Sequence, residues 1–140
     1  MTPAEEALLI PSRRNEQVLC HVPAVPLYLA VVRCAVSAMA TRLDMSLDDI
    51  EDLRRAVDEA CIVLMREAVE GTELTVLLVQ QDHETVLVQA RAVTAQEPQV
   101  APGTPSWWVL RRFGDEVQTS ADEDGHVTIS VSKRRTAVGV

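Results

Sequence analysis

Few side chains in this sequence have the type and spacing to do chemistry. Asp58 and Glu59 stand together in Leu53-Arg54-Arg55-Ala56-Val57-Asp58-Glu59-Ala60-Cys61. Glu59 could act as a general base, yet a carboxylate on the polar face of an amphipathic helix is ordinarily just solvated. Asp58 reads as such a surface charge. Arg33 interrupts an otherwise apolar stretch; its planar fork pairs carboxylates bidentately and suits a protein interface, the alternative being an ordinary surface arginine. Cys20, Cys34 and Cys61 form no CxxC, are odd in number and sit in apolar stretches, so all three read as buried thiols. His21, His83 and His126 lie far apart without cysteines at metal-ligand spacing, which argues against zinc. Trp107 and Trp108 are adjacent, so one is expected in the core while the other points away as a potential binding anchor. No P-loop or Gly-x-Ser-x-Gly pattern is present.

The bulk properties narrow the partners. The 140 residues suit one domain, and 47% hydrophobic content supports a sizeable core. A formal net charge of −8 argues against nucleic acid, which needs clustered cations. The basic run Lys133-Arg134-Arg135 reads as a solvated tail. No apolar run approaches the ~20 residues that cross a bilayer, and the first residues lack the basic region of a signal peptide. A cytoplasmic protein without membrane contact is expected.

These residues need elements to hold them. Residues 1–14 read as a flexible leader, 15–133 as the domain and 134–140 as a tail. Gln17 to Val22 can form an edge strand. Pro26 suits the first turn of a helix from Leu27 to Leu43, with Leu27, Val31, Cys34, Ala35 and Ala38 at helical spacing. Ser46, followed by Asp49, opens a second helix whose apolar face carries Ile50, Leu53, Val57, Ala60, Cys61 and Leu64, with Gly71 as a stop. Leu74 to Val79 and Val86 to Val93 form a hairpin of central strands. Ser106 to Phe113 makes a short third helix, and Asp115 to Thr119 with His126 to Ser132 makes a last hairpin around Asp124-Gly125. The order β-α-α-β-β-α-β-β predicts a two-layer α/β sandwich, with a mixed, mostly antiparallel sheet covered on one face by helices.

The second-helix segment, Leu110-Arg111-Arg112-Phe113-Gly114-Asp115-Glu116-Val117, and the run Ala101-Pro102-Gly103 … Ser106-Trp107 together resemble anti-sigma factor/serine-protein kinases of the RsbW type. The likeness runs over about residues 15 to 133 and is closest to the actinobacterial anti-sigma-F branch. It implies the histidine-kinase-like ATPase fold. It also implies an alternative sigma factor and a STAS-type anti-anti-sigma factor as partners, and a homodimer. By the same resemblance Glu59 occupies the general-base position, and Arg33 the helix-one arginine that contacts partners.

The chain departs from the family where nucleotide binds. The family's Mg²⁺-binding asparagine, four residues after the glutamate, is replaced by Val63, which has no lone pair for an ion requiring oxygen ligands. The aspartate of the Asp-x-Gly-x-Gly box should fall near Ala92 or Val93, where no carboxylate exists. Of the second glycine box only Gly103 remains, beside Thr104 and Ser106 in a degenerate lid stiffened by Pro102 and Pro105. Phosphoryl transfer depends on positioning and charge neutralisation. The expectation is therefore a sequestering protein needing no cofactor; an active kinase using ATP and Mg²⁺ is the alternative.

Overall fold

The computed structural model describes residues 16–136. The expected leader, 1–14, lies outside them. Five strands form one antiparallel sheet: β1 (Gln17–Pro23), β2 (Glu73–Gln80), β3 (Thr85–Val93), β4 (Glu116–Ala121) and β5 (His126–Arg134), in spatial order β1-β2-β3-β5-β4. Three α-helices pack on it: α1 (Leu29–Arg42), α2 (Leu47–Glu67) and α3 (Pro105–Phe113). The sequence-predicted element order and two-layer sandwich are observed, with every strand pair antiparallel rather than mixed.

Side-chain alternation decides what faces the helices. Leu74, Val76 and Leu78 of β2, Val86, Val88, Ala90 and Ala92 of β3, and Val127, Ile129 and Val131 of β5 join the buried helix residues in one core. The opposite face of the sheet carries a smaller apolar cluster of Leu77, Val79 and Leu87. Apolar residues on both faces of β2 and β3 fit their inner positions in the sheet. A row of polar residues crosses that outer face at one end, pairing His21 with Thr75, Thr75 with Arg91, and Arg91 with Thr128.

α2 is the best-specified helix. Ser46 Oγ accepts the backbone N–H of Asp49 at 3.1 Å, satisfying an otherwise orphaned donor, and Asp48 and Asp49 sit in the first turn. Its buried stripe is Leu53, Ala56, Val57, Ala60, Cys61 and Leu64. It ends at Glu67, four residues before Gly71, which instead adopts φ +82° in the turn into β2. Asp49 itself is buried. Its carboxylate accepts the backbone N–H of Thr136 at 2.8 Å and the Thr136 hydroxyl, and Lys133 Nζ lies 4.0 Å away.

α1 corrects the sequence reading. Pro26 opens a 3-10 turn (Pro26–Tyr28), and α1 starts only at Leu29. The buried residues are Leu29, Val32, Val36, Met39 and Ala40, not the expected stripe. Leu27, Val31, Cys34 and Ala38 all face solvent. The helix is apolar nearly all round, so periodicity alone cannot choose the face that packs. Cys34 is consequently exposed and Cys20 half-buried; only Cys61 is the buried thiol expected of all three.

The basic run is also corrected. Lys133 is largely buried and lies 3.6 Å from Asp52, Arg134 pairs with Glu84 at 2.8 Å, and Arg135 Nη1 donates to the Leu43 carbonyl at 3.1 Å. Charge alone suggested a tail; partners on α2, in the β2–β3 turn and just after α1 hold the run against the body instead.

Candidate functional site

α2 carries the acidic pair, and α1 crosses it with the arginine. Arg33 Nε donates to both carboxylate oxygens of Asp58, at 2.9 and 3.0 Å. The pair joins the two helices at the surface, with side chains 39% and 27% exposed. Hydrogen bonding to Asp58, then its charge, raises the Arg33 pKa. Beneath it, burial pushes the Cys61 thiol up to about 12, with the Asp58 charge adding to the effect and Arg33 opposing it. Cys61 is thus an inert core thiol.

Glu59 is half-buried on the next position of α2. One turn earlier, the Arg55 guanidinium lies 5.1 Å from the centroid of the Phe113 ring, tying α2 to the end of α3. One turn later, Val63 is 3% exposed and belongs to the core. Glu59 and Val63 therefore share a helix face in sequence but not an environment. The first has access to water, while the second is sealed among apolar side chains.

The segment expected to be a degenerate lid forms a capped helix end. Gly103 has φ +97°, and nothing lies within 4 Å of where a Cβ would stand. Thr104 Oγ1 accepts the Trp107 N–H at 3.2 Å and donates to the Ala101 carbonyl at 2.8 Å, so its hydroxyl serves α3. Pro105 takes the first helical turn and Ser106 is buried. Ala92, where the family's aspartate would fall, is packed in the core on β3. The fold brings Arg33 and Asp58 into contact and leaves Glu59 beside them. It keeps Val63 apart from the surface and gives the Thr104 side chain a structural task.

Two features escaped the sequence reading. The first is the solvent face of α1 and the 3-10 turn before it, where Leu27 of the turn is 81% and Val31 of the helix 50% exposed. Between Leu29 and Thr41 the only charged residue of α1 is Arg33, at the edge of this face. The second is a polar group around the β4–β5 turn. Asp122 accepts the backbone N–H groups of Asp124 and His126, both at 2.9 Å, and Arg91 Nη2 at 2.9 Å. His126 Nδ1 is 3.2 Å from Asp122, although the geometry is not that of a hydrogen bond. Asp122, Asp124 and His126 lie close enough to share an ion, but Asp122 is already engaged by Arg91 and by the turn. Hydrogen bonds from that turn keep the Asp122 carboxyl below its ordinary range. Trp107 packs against the core and Trp108 is 65% exposed, as expected of neighbours on a helix.

Similarity to known proteins agrees with these features. The chain is 42% identical over 94 residues to the anti-sigma-F factor RsbW of Mycobacterium tuberculosis, a match covering 67% of this chain and 55% of that protein. It is 28% identical over 134 residues to the serine-protein kinase RsbW of Bacillus pumilus, covering 80% of this chain and 82% of that one. No family model matches it. Among solved structures, the RsbU and RsbW domains of a Mycobacterium tuberculosis protein superpose with a TM-score of 0.68 at 13% identity, over 87% of this chain and 33% of that one. At that identity the likeness establishes the fold. The chain spans about half the length of the tuberculosis relative it matches. By sequence it is a homologue of RsbW proteins, as its motifs suggested, and no described helix is long and apolar enough to cross a membrane.

Proposed function

We propose that this RsbW homologue binds and sequesters an alternative sigma factor, that a STAS-type anti-anti-sigma factor releases it, and that it works as a homodimer without a nucleotide. The observation that carries the reading is the solvent face of α1. A helix whose exposed side presents Val31, Cys34 and Ala38, with Leu27 exposed in the turn before it, leaves apolar surface in water. Such surface, bordered by a single arginine, suits burial against another protein.

Sequestration is favoured over kinase activity because each nucleotide-binding device has a structural replacement. Val63 belongs to the core, Ala92 fills strand packing, and Thr104 caps α3. Glu59 retains the position of a base, but no oxygen ligand for Mg²⁺ stands one turn along. The name of the tuberculosis relative supplies a practical probe.

The test is calorimetric titration of the purified chain with the sigma-F factor of Mycobacterium tuberculosis. Binding tighter than about 10 μM, equivalent to roughly −7 kcal/mol, is expected, with Arg33→Glu weakening it at least about tenfold. Absence of binding to this sigma factor by the folded protein would count against the reading. A parallel titration with ATP and Mg²⁺ addresses the alternative: saturable binding would move the kinase forward and make Glu59 the first residue to replace.

A further inference from the structure

We infer that Asp58 is a positioning residue, which grips Arg33 through Nε so that both Nη groups stand ready for a carboxylate of the partner protein. The inference rests on the partner-binding reading above and adds the chemistry of the contact. Arginine has five N–H donors in one plane. Asp58 takes only the Nε–H, which reaches its two oxygens at 2.9 and 3.0 Å. Among the described residues, Arg33 makes no other hydrogen bond, so four donors of the fork remain for a ligand. A carboxylate is the planar acceptor that fits two parallel N–H groups.

The surroundings favour a protein as the source of that carboxylate. Arg33 shares α1 with the exposed residues Val31, Cys34 and Ala38, preceded by exposed Leu27 in the 3-10 turn, which offer apolar contact and no charge. At 3.6 residues per turn, Arg33 lies between this arc and the buried one containing Leu29, Val32 and Val36. The complementary segment is one with an apolar stripe and an aspartate or glutamate at its edge. A free arginine would sample many rotamers, and ordering it on binding would reduce affinity. Asp58, fixed on the rigid α2, removes much of that cost before the partner arrives. It also keeps the guanidinium from folding back onto other surface carboxylates.

Two measurements separate this inference from the reading it rests on. The first needs no partner: in ¹⁵N-labelled wild-type protein, the Arg33 Nε–H signal should be resolved and slow to exchange. Asp58→Ala should abolish that protection while leaving the amide spectrum folded. An Arg33 signal unchanged by Asp58→Ala would overturn the gripping role.

The second is a double-mutant cycle with the sigma-F factor of Mycobacterium tuberculosis as probe. Asp58→Ala is expected to weaken binding about tenfold, Arg33→Ala by about thirtyfold, and the double variant no more than Arg33→Ala alone. Asp58→Glu, which keeps the acceptor, should recover part of the loss, a rescue that a merely structural role would not give. Fully additive losses, or an Asp58→Ala variant that binds like wild type, would refute the proposal. Failure of wild type to bind at all would fell the sequestering reading and the recognition role with it, while the spectroscopic result would still judge the grip.

Discussion

Replacing Val63 with asparagine supplies the oxygen that the family resemblance assigns to Mg²⁺ binding at this position, and it tests whether a nucleotide site exists there. The structure predicts that it does not. Val63 is 3% exposed and surrounded by the core. Losing its buried apolar surface should cost about 1.5–3 kcal/mol. An amide buried there without a partner adds about 1–3 kcal/mol. The sum, about 2.5–6 kcal/mol, is a large part of the ~5–15 kcal/mol that holds a typical domain together. Urea unfolding followed by circular dichroism should show the midpoint falling by on the order of 2 M. Val63→Ala, at about 2 kcal/mol, isolates the packing share from the polar one. Calorimetry with ATP and Mg²⁺ should remain flat for the asparagine variant. The reasoning fails if that variant loses under about 0.5 kcal/mol and gains Mg²⁺-dependent ATP binding, for Val63 would then line an open cavity.

Other perturbations test separate parts of the fold. At Gly114 an added Cβ would stand 2.6 Å from Val131 Cγ1 and 3.0 Å from the Leu110 carbonyl oxygen. Gly114→Ala should therefore destabilise by about 1–3 kcal/mol in the same urea assay, and a neutral result would mean β5 gives way easily. For Asp49, burial pushes its pKa up, but hydrogen bonds from Thr136 and Ser46 and the Lys133 charge bring the net value below the ordinary one. A lowered folded-state pKa contributes stability that is present above the unfolded carboxyl pKa and lost as pH falls through the folded value. Wild type should thus outlast Asp49→Asn near neutrality, with the gap closing below about pH 4. A gap constant down to pH 2 would contradict this. The thiols should separate kinetically: iodoacetamide at pH 8 should label exposed Cys34 first and Cys61 only after unfolding, read by peptide mass spectrometry. Equal native rates would show that the core opens readily.

Much of the architecture was already legible along the chain. Ser46 and the acidic first turn marked the start of α2, and the Val-rich runs marked β2 and β3. These are local signals, set by backbone donors and by neighbours a few residues apart. The expected loss of nucleotide ligands was equally local, because it follows from which side chain stands at Val63 and Ala92. Residue type excludes a metal ligand whatever the fold around it.

Three features were not local, and only the tertiary structure decided them. Which face of α1 packs depended on the sheet beneath it, since apolar residues ring the helix and Leu27, Val31, Cys34 and Ala38 looked as ready for the core as Val32 and Val36. The basic run at the end of β5 found Asp52, Glu84 and the Leu43 carbonyl at positions distant in sequence. Arg33 and Asp58 meet across two helices, 25 positions apart, with no spacing rule to announce them. Sequence specifies what each side chain can do, because that chemistry is intrinsic to the residue. Folding alone specifies what each one meets, because a contact between distant elements depends on how every intervening element packs.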